Sequence, residues 1–169
     1  KLSSDYEARE KATQMFFAET QNKLLYAVTH HTAAELIVVR ADADKPNMGL
    51  TTWKGNIVRK QDIIIAKNYL TQDELDTLNR LTTIFLESAE LRVKERKDLT
   101  LGYWQQNVDA LLTFHGKEVL NGSGRVSNQD MENQVRDIYA VFDARRKQAD
   151  AFAADEEDLR LLDDLERQI

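Results

Sequence analysis

The sequence predicts a mainly α-helical bundle of about five to six helices, with one long ordered loop at residues 41–58 and a long C-terminal helix. Three tetrapeptides of the form Ser/Thr-x-x-Glu begin at Ser4, Thr32 and Thr71, and this capping box is typical of helix N-termini. Apolar residues recur three or four positions apart after these boxes, which is helical periodicity. A single proline and only six glycines leave long stretches without helix-breaking residues.

The first two boxes predict a long helix from Ser4 to about Val28 and a short helix over residues 33–40. The short helix carries Leu-Ile-Val-Val at 36–39, so it is apolar on every side and contains mediocre helix formers. Burial must therefore stabilise it, and a buried strand over 36–40 is the alternative. The long helix has an apolar face that consists of Tyr6, Met15, Phe16, Leu24, Ala27 and Val28.

The signature segment, residues 30–55, reads HHTAAELIVVRADADKPNMGLTTWKG and concentrates the unusual residues of the chain. It contains two of the three histidines, the only proline, two of the six glycines and one of the two tryptophans. A connection longer than about 12 residues inside a helical domain is usually either functional or disordered. Because this one mixes apolar residues with residues of special backbone geometry, we expect a functional, ordered loop over 41–58.

The chain after this loop returns to helical patterns. Helix is expected again near Gln61, with Ile63, Ile64, Ile65, Tyr69 and Leu70 as its buried candidates. The third box starts a helix from Thr71 to about Arg96, and Thr100 caps the next one. The glycine-rich stretch at 121–124 predicts a turn, after which Ser127 starts the last helix.

The last helix combines a coiled-coil-like seam with an acidic end. Its apolar residues are spaced by three, four or seven, at Met131, Val135, Ile138, Phe142, Ala149 and Phe152. The seam stops at residues 155–158 and returns in another phase from Leu159. We therefore expect a helical core domain at 1–127 that contains the signature segment, and a helical extension at 128–169 that packs on the core or on a partner.

Composition restricts the classes of function. The net charge of −6 argues against a free-standing non-specific DNA-binding protein, which needs a surplus of lysine and arginine. The absence of cysteine excludes disulfides and thiolate chemistry and fits a cytoplasmic location. No apolar run approaches the roughly 18 residues that span a membrane, so we expect no membrane association. Because residue 1 is lysine, we expect a fragment of a longer protein.

The candidate catalytic residues are His31, Glu35, Arg40 and Asp42. His31 and Glu35 are four apart, so they would share a face if both belonged to one helix. A polar cluster of this kind suits acid–base or metal chemistry, although Glu35 also occupies the capping position of the box at Thr32. The spacing of a zinc-binding HExxH motif is absent, and we expect neither a metal nor a cofactor.

The loop itself offers candidates for ligand binding. Arg40, Asp42 and Lys45 suggest an anion or nucleotide site, because arginine presents a planar fork to phosphate or carboxylate. The alternative is that Arg40 pairs internally with Asp42 or Glu35. Trp53 either buries its ring to anchor the loop or stacks on a base or a partner.

The runs HTAAELI, RADA and KPNMGLT, at His31–Ile37, Arg40–Ala43 and Lys45–Thr51, resemble the carboxy-terminal region of the RhuM-type bacterial virulence-associated family. The resemblance covers roughly residues 5–115, and the last 45 or so residues match only loosely. It implies a cytoplasmic, DNA-associated or regulatory protein whose DNA-binding-like N-terminal region is missing from this chain. The matched motif residues are His31, Glu35, Arg40, Asp42, Asn47 and Thr51, so Asn47 and Thr51 join Lys45 and Trp53 as ligand-binding candidates.

Two hypotheses of function follow, and a third is weaker. The first is an interaction domain that binds a protein partner or forms a homodimer through the C-terminal helix, with only indirect DNA association through the missing N-terminal region. The second is an enzyme or a nucleotide- or anion-binding module around the four catalytic candidates. The third is direct DNA contact through Lys54, Arg59 and Lys60, which the net charge of −6 disfavours.

Overall fold

The computed structural model describes residues 11–95, 97 and 100–167, and the first predicted capping box, at Ser4, lies outside them. The described ranges contain no β-strand, and none of their helices combines the length and apolar character that a membrane crossing requires. The mainly α-helical prediction is therefore confirmed. The five α-helices are α1 (Lys11–Thr29), α2 (Ala33–Arg40), α3 (Gln72–Lys94), α4 (Leu101–Phe114) and α5 (Asn128–Glu166).

The capping boxes of α2 and α3 form as predicted. The hydroxyl of Thr32 accepts the N–H of Glu35, and the Glu35 carboxylate accepts the N–H of Thr32 at 2.9 Å. Thr71 and Glu74 make the same reciprocal pair at the start of α3, again with 2.9 Å to the carboxylate. Each box satisfies two amides that the helix itself leaves without partners. Residues 33–40 are accordingly helical, and the strand alternative over 36–40 is wrong.

Helix α2 is the central element because its two sides pack against different hydrophobic clusters. Ile37, which is 1% exposed, packs in a cluster with the 41–58 loop and with α5. Leu36, which is fully buried, packs in a second cluster with α1, α3 and α4. Burial on both sides stabilises a helix whose own propensity is modest.

Helices α1, α3 and α4 form one side of the bundle and pack on one another mainly through leucine and valine. Farther from α2, the rings of Phe16 and Trp104 close a smaller cluster over Ala89. Of the predicted apolar face of α1, Phe16, Leu24 and Ala27 are buried and Val28 is partly buried, as expected. Met15 is exposed, so that part of the prediction is wrong, and Tyr6 lies outside the described residues. The buried residues of the main cluster on this side include Leu24, Leu25, Leu78, Leu81, Val108 and Leu112.

The irregular segment between α2 and α3 is longer than predicted. The α-helix expected from Gln61 is absent, and turns lead instead to a single 3-10 turn at Ala66–Tyr69. The buried carboxylate of Asp62 accepts the N–H of Arg59 at 2.9 Å and closes a turn over residues 59–62. The carbonyls of Arg59, Asp62 and Ile65 each accept the N–H three residues later, so this stretch is a series of turns without the i to i+4 bonds of an α-helix. Consequently Ile63 is fully buried while its neighbours Ile64 and Ile65 are exposed.

Helix α5 has a proximal half that packs on the body and a distal half that does not. Met131, Val135 and Tyr139 are buried against α2 and the loop, and the Tyr139 hydroxyl donates to the carbonyl of Val58 at 3.3 Å. Every residue from 150 to 164 is exposed. The predicted seam therefore stops being buried before Phe152, and the division into domains at 127/128 stays a prediction.

Gly49 permits the closest backbone approach in the loop, so replacing it should destabilise the fold. It has φ +83°, and an added Cβ would overlap the carbonyl oxygen of Arg40. We expect Gly49→Ala to lower the free energy of unfolding by about 2–4 kcal/mol, measured by urea denaturation. Gly102→Ala is the control, because Gly102 lies in α4 with open space around it, and it should stabilise by about 0.5 kcal/mol. Equal effects of the two substitutions would contradict this account.

Candidate functional site

The N-terminus of α2 is held by the carboxylate of Glu35, which serves two parts of the chain. One oxygen accepts the N–H of Thr32, and the other accepts the N–H of Arg125 at 2.6 Å. These backbone hydrogen bonds, that of Thr32 first, lower the pKa of Glu35 below its ordinary value. Glu35 therefore both caps α2 and ties it to the turn that precedes α5.

Both histidines of the signature segment lie between α1 and α2 rather than on α2. His31 Nδ1 is 2.7 Å from the carbonyl of Thr29, a contact at the C-terminal end of α1. His30 adopts φ +60°, which ends α1, and its Nδ1 lies 3.2 Å from the carboxylate of Glu118. His31 and Glu35 therefore do not share a helix face, because Thr32 separates the histidine from α2.

Arg40, the last residue of α2, forms a bidentate ion pair with Glu74. Its two terminal nitrogens each donate to one carboxylate oxygen of Glu74, both at 2.6 Å, and one also donates to the carbonyl of Tyr69 at 2.7 Å. The side chains of Arg40 and Glu74 are only 26% and 21% exposed. The Arg40 hydrogen bond, followed by that of the Thr71 amide, lowers the pKa of Glu74 from 4.5 to about 2. Arg40 is therefore paired within the chain, as the second of the two predictions for this residue stated. Its partner, however, is Glu74 and not Asp42 or Glu35.

Asp42 and Lys45 shape the turn that follows α2. The Asp42 carboxylate accepts the N–H of Asp44 at 2.9 Å, and the Asp42 N–H donates to the carbonyl of Met48 at 3.2 Å. Lys45 Nζ lies 3.9 Å from the Asp42 carboxylate, and both side chains are exposed enough for the pair to contribute little. Asp44 forms an ion pair with Arg145, which joins this turn to α5.

The turn at Pro46–Gly49 reverses the chain through three consecutive left-handed residues. Asn47 and Met48 have φ +53° and +59°, and Gly49 follows with +83°. Asparagine and glycine tolerate this conformation, whereas methionine rarely adopts it. Met48 is fully buried in the cluster with Ile37, so its packing sustains the strained backbone. The place of Asn47 in this turn is therefore explained by backbone geometry.

Thr51 and Trp53 attach the loop to the segment before α3. The Thr51 N–H donates to the carbonyl of Asn68 at 2.7 Å, and its hydroxyl donates to the carbonyl of Leu70 at the same distance. Trp53 is partly buried and packs against the cluster that contains Ile37. The anchoring role considered for Trp53 fits this position.

The structure does not bring the four catalytic candidates into one constellation. Glu35 and Arg40 stand near opposite ends of α2, roughly 7 Å apart along its axis from the helical rise alone. Each of the four uses polar atoms in a contact within the chain. Their catalytic roles stay predictions. The same holds for the proposed ligand-binding residues, which are Lys45, Asn47, Thr51 and Trp53. Sequence analysis missed Glu74, although its capping-box position marked it in the same way as Glu35.

One polar cleft adjoins the signature segment. It has a volume of about 450 Å³ and lies where the start of α5 faces Thr32 and Asn22. Arg125 contributes a cation to the lining. The Thr32 N–H at this end of α2 already donates to the Glu35 carboxylate, so it is not open to an external anion. Among the described residues, no three histidine, aspartate or glutamate side chains are grouped as metal ligands would be. The cleft lining also includes Ala34, Ser123, Gly124, Val126, Ser127, Asn128 and Asp130.

Two glycines of the turn before α5 separate the effect of backbone strain from that of close packing. Gly122 and Gly124 both have φ +86°, but an added Cβ finds open space at Gly122 and lies 2.6 Å from Thr32 Cγ2 at Gly124. We expect Gly122→Ala to destabilise by about 1 kcal/mol and Gly124→Ala by about 3 kcal/mol, measured by thermal and urea denaturation. Equal losses would show that the contact between this turn and α2 contributes nothing.

The Arg40–Glu74 pair predicts a specific dependence of stability on pH. Because folding lowers the pKa of Glu74 from 4.5 to about 2, the pair stabilises the fold fully above about pH 5, and this contribution disappears as pH falls toward 2. Glu74→Gln should destabilise by about 2–3 kcal/mol at pH 7 and flatten the loss of stability between pH 5 and 2.

The matched control is Asp76→Asn, which removes an exposed ion pair with Arg80 on the same helix. It should change stability at pH 7 by less than about 0.5 kcal/mol. Urea titrations from pH 2 to 8 make the comparison. If the wild-type chain and Glu74→Gln lost stability in parallel on acidification, the Arg40–Glu74 pair would not be the source of the acid sensitivity.

Comparison with known proteins gives a family but no structural precedent. The model of the virulence protein RhuM family matches residues 1–150, which is most of the chain. Neither a curated protein nor a solved structure matches. The matched region includes the whole signature segment and the helices that its side chains join. The chain therefore belongs to the RhuM family.

Proposed function

We propose that this chain is a helical interaction and regulatory domain whose contact element is the distal half of α5, residues 150–166. The supporting observation is the contrast between the signature segment and the distal half of α5. The Glu35 carboxylate and the Arg40 guanidinium of the signature segment are hydrogen-bonded within the chain, whereas residues 150–164 are exposed throughout. In this proposal the signature segment builds a rigid support, and α5 presents a surface to a protein partner.

The distal half of α5 has apolar side chains that nothing in the body covers. Phe152, Leu159, Leu161 and Leu162 are between 57% and 63% exposed. Four large apolar side chains within eleven residues are more than the scattered apolar exposure of an ordinary surface, and such groups mark contact sites. A partner that buries them provides the driving force for association.

The charge of this half specifies the chemistry of the partner. Residues 150–169 contain eight acidic and two basic side chains, and the preceding 149 residues contain 21 of each. The whole net charge of −6 therefore belongs to the last 20 residues. Charge complementarity requires a cationic surface that also presents apolar side chains.

The family resemblance adds the setting of this interaction. We propose that the domain acts in the cytoplasm together with a DNA-binding N-terminal region, and that its association with DNA is indirect. The charge distribution supports the indirect route, because an acidic end is repelled by phosphate. The signature segment then contributes stability to the support rather than chemistry.

The proposal predicts salt-sensitive binding of a cationic amphipathic helix. The probe is a synthetic 20-residue peptide with lysine on one face and leucine on the other, titrated calorimetrically into a dilute solution of the full chain. The triple variant Phe152→Ser, Leu159→Ser and Leu162→Ser should bind it at least tenfold more weakly. Raising the salt concentration should weaken binding to the wild-type chain, because salt screens exposed charges.

The control replaces equally exposed apolar residues elsewhere. Leu86→Ser with Leu91→Ser, on α3, should leave peptide binding unchanged. Both sets of substitutions should shift the melting temperature little, because exposed side chains contribute little to folding. If the α5 variant bound the peptide as tightly as the wild-type chain, the distal half would not be the contact element.

A further inference from the structure

We infer that the partner of the distal half of α5 is a second copy of this chain, arranged as a two-fold dimer in which the two α5 helices run antiparallel. This inference rests on the proposed function and identifies the partner. It requires that the proximal half of α5 present a surface complementary to the distal half. Three features of the structure provide that surface: a cationic groove, a seam of small residues and a matching order of charges.

The cationic groove lies between the proximal half of α5 and the turn at 59–62. It has a volume of about 630 Å³, and its lining includes three cations, Lys60, Arg136 and Lys147, and one carboxylate, Asp143. Within the described part of the chain Lys60 has no ion-pair partner. Arg136 and Lys147 pair with the partly buried Glu132 and Asp143 on the same helix, but the two cations are 61% and 69% exposed, so both groups are accessible to a partner.

The turn beside this groove also exposes apolar side chains. Ile57, Ile64 and Ile65 are all more than a third exposed, although they belong to the same segment as Lys60. The segment that carries Lys60 therefore combines a cation with aliphatic surface. On the distal half of α5, Asp158 shares the face of the helix with the exposed Leu161 and Leu162, three and four positions later, so the two surfaces are complementary in both respects.

A seam of small residues on α5 permits two helices to approach closely. Ala140, Ala144, Ala151 and Ala154 are exposed and, together with Lys147, repeat at alternating steps of four and three. This spacing keeps one face of a helix directed at a partner helix. Small side chains at such a face allow the short interaxial distances of close helix packing.

The seam is centred near residue 147, which is also the middle of α5, with Ala144 three positions before it and Ala151 four positions after it. Ala140 and Ala154 are each seven positions from it, so an antiparallel pair centred there places these two alanines opposite each other. Lys147 meets its own copy in this register, as it would in a parallel pair, so it does not distinguish the two arrangements. The same register places Arg136 of one copy opposite Asp158 of the other, because each is eleven positions from the centre. Lys60, on the other wall of the groove, then lies near the same acidic stretch.

The charges select the antiparallel arrangement over the parallel one. A parallel pair would place Asp155–Asp158 of one copy beside the same four carboxylates of the other, and like charges at an interface are strongly unfavourable. The antiparallel pair separates the two acidic ends by the length of the seam. It also gives each end a cationic groove, so both copies make the same contact, as a two-fold axis requires.

Association is tested with the full chain by sedimentation velocity from about 1 to 100 μM. A dimer should form at low salt and weaken at 1 M salt. Arg136→Glu should weaken association at least tenfold, and adding Asp158→Lys in the same chain should restore it. The matched control is Arg80→Glu, which breaks an equally exposed pair with Asp76 on α3 and should leave association unchanged.

The orientation is tested with a spin label, because the chain has no cysteine and a single introduced thiol labels uniquely. With Asp164→Cys labelled in both copies, the antiparallel dimer predicts roughly 50 Å between labels, from 1.5 Å rise per residue on either side of residue 147. A parallel pair would give less than about 20 Å. A short distance, a monomer at every concentration, or no rescue by Asp158→Lys overturns the dimer. A monomer that still binds the cationic peptide leaves the proposed function standing.

Discussion

The Arg40–Glu74 ion pair joins the end of α2 to the start of α3 across 34 positions of sequence. A helix of eight residues is too short to be stable alone, so its existence depends on what holds its ends and its sides. The guanidinium fixes one end through two parallel hydrogen bonds and also reaches the carbonyl of Tyr69. The two hydrophobic clusters on either side of α2 can then form around a helix in a defined position.

Both ends of α2 depend on the same chemical device. Each capping-box glutamate, Glu35 and Glu74, uses one oxygen to satisfy its own helix start and has capacity left for a distant donor. For Glu35 that donor is the amide of Arg125, and for Glu74 it is the guanidinium of Arg40. A local motif thus becomes a long-range connection, because a carboxylate accepts more hydrogen bonds than a cap requires. These connections account for Glu35 and Arg40 of the signature segment.

The features that depend on neighbouring residues could be predicted from the sequence. The caps at Thr32, Thr71 and Thr100 and the helical state of 33–40 follow from local chemistry, and the structure contains each of them. The predicted turn at 121–124 is a bend at Gly122 and Ser123, and α4 already ends at Phe114. The failures depend on distant partners. Nothing near Arg40 in sequence identifies Glu74 as its partner, and nothing near Gln61 shows that Asp62 closes a turn.

The seam of α5 illustrates the same limit for packing. Its periodicity correctly indicated a helix, but Val135 and Phe152 belong to one sequence pattern and have opposite environments. Periodicity specifies which residues share a face, whereas the length of the body decides how far along the helix that face is covered. The same limit applies to the candidate site. The spacing of His31 and Glu35 suggested that they share a helix face, but the cap at Thr32 leaves His31 outside α2.

The separation of charge along the chain has a consequence for colloidal behaviour. Residues 1–149 carry equal numbers of acidic and basic side chains, so near neutral pH the body has almost no net charge to keep copies apart. Proteins close to zero net charge tend to associate and precipitate. The acidic end of α5 therefore provides the net charge that keeps copies of the chain apart. A partner that neutralises this end leaves a complex whose net charge is close to zero at neutral pH.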